Sequence, residues 1–202
     1  MIDEGYTKYR CEWRKVPPLC DEALADLNNC RNRLHDAGLV GYYAEHGVGF
    51  GNLSVRSDRG NRFVISGTQT GHIPRTGPEH YAAVTGYDID ANQVWCEGPV
   101  QASSEALTHA AIYELDPAIC GIAHVHSARL WKRLIDRLPT TSAQVPYGTP
   151  EMAHEFERLY RESDLAETGV AVMAGHDEGI VAFGSDIDEA TRRILALEQS
   201  PD

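Results

Sequence analysis

The spacing of apolar positions changes along the chain, and each change marks an element. From residue 19 to 46, leucines at 24, 27 and 34 with Ala23 and Cys30 between them lie on one stripe at helical spacing, predicting a first helix that ends near Gly38 or Gly41. After the glycine-rich run HGVGFGN, NLSVRSDRGNRFVIS carries two short β-like runs around an Asp-Arg-Gly-Asn turn and reads as a hairpin. SGTQTGHIPRTGPEHY is dense in Gly, Thr and Pro and reads as a loop, and YAAVTGYDID followed by NQVWCEG predicts a second hairpin.

ASSEALTHAAIYELDP carries the clearest helix signal: Ser103 or Ser104 caps it, Ala, Leu and Ile fill it, and Pro117 stops it. GIAHVH follows at once as a strand. GTPEMAHEFERLYRES predicts another helix, with Thr149 as cap and Pro150 at its first position. GVAVMAGHDEGIVAFG is a strand pattern broken at GHDEG, and SDIDEATRRILALEQ closes with a capped helix. No internal repeat, low-complexity stretch or linker breaks this order, so one mixed α/β domain is expected over residues 1–202.

Length and composition narrow the chemistry. A chain of 202 residues buries a core without disulfides or a structural metal, so any bound metal is expected to be functional. With 42% hydrophobic and 24% charged residues the chain is globular in type. No run approaches the ~18 apolar residues of a membrane span. The start, MIDEGYTKYRCEWRK, reads as neither a signal peptide nor a transit segment, and a cytoplasmic setting is expected. Cys11, Cys20, Cys30, Cys96 and Cys120 are odd in number, scattered and without a CxxC pair, which argues for reduced thiols. The net charge of −12 disfavours nucleic acid and anionic membrane as partners. A small anionic substrate stays open, because local backbone N–H groups and a metal outweigh the global field.

The strand GIAHVHSA puts His124 and His126 on one face, while Ile122 and Val125 serve packing. By themselves they are a metal-binding edge, a pair of catalytic bases, or polar residues on a solvated face. A catalytic zinc takes three protein ligands and leaves one position open. The strongest third candidate is His176, in the polar break AGHDEG between two apolar runs. Ser103, Ser104 and Glu105 open a helix whose unpaired N–H groups suit a phosphate or carboxylate, although ordinary N-capping accounts for the same residues. GFGN and SGTQTG make a similar offer through glycine backbone and the side chains of Asn52, Thr68 and Thr70, with turn-building as the alternative.

The order of these motifs is more specific than any one of them. Gly-Asn-Leu-Ser, Ser-Gly-Thr-x-Thr-Gly, Ser-Ser-Glu with His109 four residues on, His-x-His-Ser, Tyr-Gly-Thr-Pro-Glu and Gly-His-x-x-Gly-Ile-x-x-Phe-Gly together resemble the class II aldolase/adducin family, over about residues 20–198. The resemblance implies a three-layer α/β/α sandwich on a central, largely antiparallel sheet, assembled as a homotetramer with sites at subunit interfaces. It implies that His124, His126 and His176 hold a divalent metal, zinc or else Mn2+, Co2+ or Fe2+. Glu105 is implied as a further ligand that swings away to act as base or acid, with Asn52, Thr70, Gly71, Ser103 and Ser104 as the substrate-phosphate cradle.

The implied activity is that of an aldolase cleaving a small ketose phosphate to a ketone phosphate and an aldehyde through a metal-stabilised enediolate. Dehydratase or decarboxylase action on a sugar phosphate or sugar acid is the alternative, followed by 4-epimerase action and a non-catalytic adducin-like role. Glu at 105 ranks aldolase above epimerase, which usually carries Asp there. His109 is expected to pack or support rather than ligate, and Arg56, Arg62 and Arg75 lie near the anion loops in sequence. Two features depart from the family. The run 128–147 has no tyrosine before Tyr147, where fuculose-type aldolases carry a longer insert with a tyrosine acid. SGTQTG also replaces the more usual proline-containing loop, so the cradle suits phosphate or carboxylate.

Overall fold

Alternation along the strands sorts side chains onto two faces of one sheet, and helices close over both. The computed structural model of the chain describes residues 6–57 and 60–200. Its strands are β1 (Arg10–Lys15), β2 (Gly41–Tyr43), β3 (Val48–Phe50), β4 (Asn52–Arg56), β5 (Phe63–Ser66), β6 (Tyr81–Asp88), β7 (Gln93–Gly98), β8 (Gly121–His126), β9 (Val170–Val172) and β10 (Gly179–Gly184). Its helices are α1 (Ala25–Asp36), α2 (Ala106–Leu115), α3 (Ala128–Leu134), α4 (Pro150–Glu162), the single turn α5 (Leu165–Thr168) and α6 (Ile187–Gln199).

The main sheet runs β1-β7-β6-β5-β4-β8-β10-β9, and β2 and β3 form a separate hairpin. Every pairing in the main sheet is antiparallel except β1 with β7. On one face Ala123, Val125 and Ile180 pack with Leu27 and Leu34 of α1, Leu130 of α3 and Ile194 of α6. On the other, Ile122 and Val181 pack with Leu107 and Ala110 of α2 and Phe156 of α4. Truncating a fully buried aromatic such as Phe156 to alanine costs about 3–5 kcal/mol. The result is the expected three-layer sandwich, with the largely antiparallel sheet made mixed by the β1–β7 pair.

Several local expectations hold and others are corrected. Thr149 caps α4 by accepting from Met152 N–H, with Pro150 at the first position, and Asp186 caps α6 by accepting from Glu189 N–H. The first helix ends at Asp36, next to Gly38 as expected rather than at Gly41: Gly38 takes φ 72°, and the Leu39 N–H turns back to Leu34 O. The cap residue of α2 is Glu105, not Ser103 or Ser104; Ser103 Oγ accepts from the Glu105 N–H at 3.4 Å. HGVGF supplies the turn and second strand of the β2–β3 hairpin while Asn52 opens β4, and β1 forms from a stretch whose mixed polarity carried no strand signal. Asp58 and Arg59 of the expected hairpin turn lie outside the described residues.

Candidate active site

The period-two geometry of β8 puts His124, His126 and Ile122 on the α2 face and Val125 on the other. Antiparallel pairing sets Gly179 of β10 opposite His126 and Asn52 of β4 opposite His124. His176 enters from the turn between β9 and β10. Gly179 permits this approach, since a Cβ there would lie 3.3 Å from His124 Cε1 and 3.0 Å from His176 O.

The imidazoles converge. His124, His126 and His176 are all buried, and their ligand atoms lie within 4.8 Å of one another. His124 Nε2 and His126 Nε2 are 3.0 Å apart. Two nitrogens on a tetrahedral zinc with bonds of about 2.0–2.1 Å stand about 3.3 Å apart, so the observed pair needs only a small adjustment. Burial, followed by the neighbouring imidazoles, pushes His124 and His126 well below the usual histidine range. Both are neutral at physiological pH, the state a metal requires of its imidazole ligands. The donor set thus fits a divalent cation.

Neighbouring groups hold this corner in place. Tyr43 Oη is 3.1 Å from His126 Nδ1 and donates to Glu178 Oε2 at 2.5 Å. Tyr147 stacks on His176 with ring centroids 4.3 Å apart, and the Lys8 ammonium lies 3.9 Å from the Tyr147 ring centroid. Glu105, buried at the start of α2, brings Oε1 to 3.5 Å from His176 Nδ1, while its Oε2 accepts from the Thr108 hydroxyl at 2.8 Å. His109 points elsewhere: its Nδ1 is 2.7 Å from Ser54 Oγ, which is 2.8 Å from Tyr113 Oη. It is a packed, hydrogen-bonded residue, as the sequence suggests.

Beside the triad a cleft is lined by Gly49, Gly51, Asn52, Gly67, Thr68, Gln69, Thr70, Gly71, Ser103, Ser104 and Glu105. Every residue of the sequence-based cradle is therefore on its wall, and the α2 N-terminus opens into it. Gly71 is needed there, because a Cβ would come within 2.2 Å of Gly41 O. Arg31, buried in α1, donates to the carbonyls of Thr70, Gly71 and Pro74 and so braces this loop with a cation behind it. Arg56 and Arg75 are not at the cleft: Arg56 donates to carbonyls of Tyr113, Asp116 and Ile119, and Arg75 pairs with Asp36.

Arg31, Tyr43, Tyr147 and Glu178 are site neighbours that sequence reading did not find. Only Tyr147 carried a signal, through the YGTPE motif. Arg31 looks like any arginine of an amphipathic helix, Tyr43 ends a strand too short to carry a pattern, and Glu178 falls at an unspecified position of the GHDEG break.

The sequence model described as Class II Aldolase and Adducin N-terminal domain matches residues 32–201. The chain is 30% identical over 173 residues to 3-oxo-tetronate 4-phosphate decarboxylase of Haemophilus influenzae, covering 75% of each. It is also 30% identical over 133 residues to L-ribulose-5-phosphate 4-epimerase UlaF of Salmonella paratyphi B, covering 55% of this chain and 57% of the epimerase. The solved L-fuculose-1-phosphate aldolase of Thermus thermophilus superposes with a TM-score of 0.62 at 22% identity, covering 87% of this chain and 89% of the other. A sugar-phosphate aldolase of Thermotoga maritima gives 0.67 at 18% identity, covering 88% and 91%. These two likenesses establish the fold.

Proposed function

This chain belongs to the class II aldolase and adducin family, and from that premise we propose that it is a divalent-metal-dependent lyase breaking a carbon–carbon bond in a small, anionic sugar derivative. One observation carries the reading: the buried Glu105 carboxylate stands 3.5 Å from His176 of the triad and also forms part of the cleft wall with Asn52, Thr70, Gly71, Ser103 and Ser104. An anionic group seated in that cleft holds the reacting carbons beside carboxylate and imidazoles, which makes the chemistry effectively intramolecular.

His124, His126 and His176 would hold the cation, zinc being the best match to three imidazole ligands. Bound there, a divalent cation supplies Lewis acidity toward adjacent substrate oxygens. Glu105 moves the proton: Thr108 fixes Oε2, leaving Oε1 turned toward the triad. In retro-aldol cleavage the hydroxyl of the carbon that becomes the aldehyde gives up its proton, the electron pair of the broken bond passes to the carbonyl oxygen, and a proton returns to carbon when the ketone product forms.

Decarboxylation is the second reading, favoured by the 30% identical 3-oxo-tetronate 4-phosphate decarboxylase matched over 75% of both chains. There carbon dioxide leaves the same electron pair behind, and Glu105 returns one proton to carbon. A homotetramer with sites at subunit interfaces, in the cytoplasm, belongs to the same reading. Among the described residues no helix is long and apolar enough to cross a membrane.

Metal analysis of the purified protein should find one divalent ion per chain. A panel of ketose phosphates and 3-oxo acid phosphates, followed for aldehyde and for carbon dioxide release, then separates the two cleavages. Glu105→Gln should lower turnover about 10²–10⁴-fold while keeping metal content and melting temperature. Absence of any bound divalent ion, or full turnover in Glu105→Gln, overturns the proposal.

A further inference from the structure

One residue beside the triad has a backbone that its side chain does not favour. Glu178, in the turn between His176 and β10, takes φ 67°, the left-handed region that suits glycine. Strain of this kind persists where the surroundings demand it, and it clusters at functional sites. Here the Glu178 carbonyl accepts from the Ser127 N–H at 3.0 Å, locking the turn to the residue that follows His126. Its carboxylate reaches Tyr43 at the end of β2.

The direction of the hydrogen bonds in this chain is set by its far end. The Tyr43 phenol donates to Glu178 Oε2 at 2.5 Å. The phenol oxygen is then left to accept from Nδ1–H of His126 across 3.1 Å. With the proton on Nδ1, the lone pair of His126 lies on Nε2, the atom that faces His124 Nε2 at 3.0 Å. Phe50 holds the phenol ring at a centroid distance of 4.4 Å and so limits its swing.

We infer that Tyr43 and Glu178 are positioning residues that select Nε2 of His126 as the metal-binding atom, and that the left-handed turn at Glu178 is kept for this task. The inference rests on the metal reading of the triad. It assigns a role to the β2–β3 hairpin, which lies outside the main sheet yet sends Tyr43 to the metal corner. Two segments more than a hundred residues apart in sequence thereby act on one imidazole.

The test uses the full chain, zinc titrated against a competing chelator, thermal melts of the metal-free protein and nitrogen NMR of the imidazoles. In Tyr43→Phe the ring and its stacking remain, so zinc affinity should fall about 10–100-fold and His126 should become a mixture of tautomers. Glu178→Gly should weaken zinc binding to a similar degree while raising the melting temperature of the metal-free protein, since glycine relaxes the turn. Glu178→Gln, whose amide oxygen still accepts from Tyr43, should lie closer to wild type in zinc affinity than Glu178→Gly. Wild-type affinity in Tyr43→Phe and Glu178→Gly overturns the inference and leaves the metal reading standing. So does a fall in both stability and affinity in Glu178→Gly with no change in Tyr43→Phe, the mark of a merely structural turn. A wild-type protein that takes up no zinc instead overturns the metal reading itself, before any variant is compared.

Discussion

Two groups of buried histidine lie on the same face of the sheet, and only one has the makings of an active site. His109 on α2 is fully buried and closed into a chain with Ser54 and Tyr113, both within 2.8 Å of their neighbour. His124 and His126 are buried almost as deeply, yet they turn their Nε2 atoms on one another at 3.0 Å, and His176 joins them. Burial lowers the proton affinity of all three, taking His109 to about 3 and the strand pair well below the ordinary range. A depressed histidine is therefore no sign of function by itself. Convergence of several imidazoles, next to the Glu105 carboxylate and the glycine-lined cleft, separates the candidate site from a packed polar cluster.

The largest effect should come from the converging group. His126→Ala should remove stoichiometric metal and take turnover to background, a loss beyond the roughly 100-fold ceiling for an outer partner. The same comparison predicts that His109→Gln leaves metal content unchanged, as measured by elemental analysis of both variants. If His109→Gln also strips the metal, the two groups are one system and the distinction fails.

Next in size is the response to pH, in which the two groups should behave alike. Their folded-state values lie below the unfolded value of about 6.5, so below that pH the unfolded chain binds protons that the folded chain excludes. Stability of the metal-free protein should be flat above about pH 6.5 and fall as pH drops, by about 1.4 kcal/mol per pH unit for each such histidine. Denaturant unfolding across this window reads the slope, and His109→Gln should reduce it by one proton's worth.

Smaller effects concern the closed cluster alone. Ser54→Ala leaves two buried polar groups short of a partner and should cost about 1–3 kcal/mol in unfolding free energy, with metal affinity unchanged. Tyr113→Phe removes one hydroxyl from the end of the chain and should cost about 1 kcal/mol. Loss of zinc binding in either variant would show that the α2 cluster shapes the triad.

The difference between the groups was partly visible before the fold was known. GIAHVH is a strand with period two, and that period alone places both histidines on one face. His109 follows Glu105 by one helical turn, which suggests a shared helix face without saying what either residue meets. In the fold Glu105 is the cap of α2 and borders the triad, while His109 looks toward Ser54 of β4. The arginines near the anion loops in sequence misled for the same reason. Arg56 and Arg75 are close to those loops along the chain, yet β4 directs Arg56 to the Tyr113 carbonyl and the loop before β6 turns Arg75 to Asp36.

The sequence by itself determined what depends on short range. It specified the strand carrying His124 and His126, the Thr149 cap and a capped start to the last helix, the glycine-bearing loops of the cleft and an order of motifs long enough to identify the family. Tertiary structure decided everything that rests on register between distant segments. Pairing of β8 with β10 and β4 brought Gly179 and Asn52 beside the strand histidines, and the turn before β10 delivered His176. The fold alone set Tyr43 and Glu178 on His126, Tyr147 on His176 and Arg31 beneath the Thr70–Gly71 loop. Side-chain periodicity is a local property of the backbone, whereas such meetings require the chain to close loops of tens of residues, and only the packed core holds those closures in place.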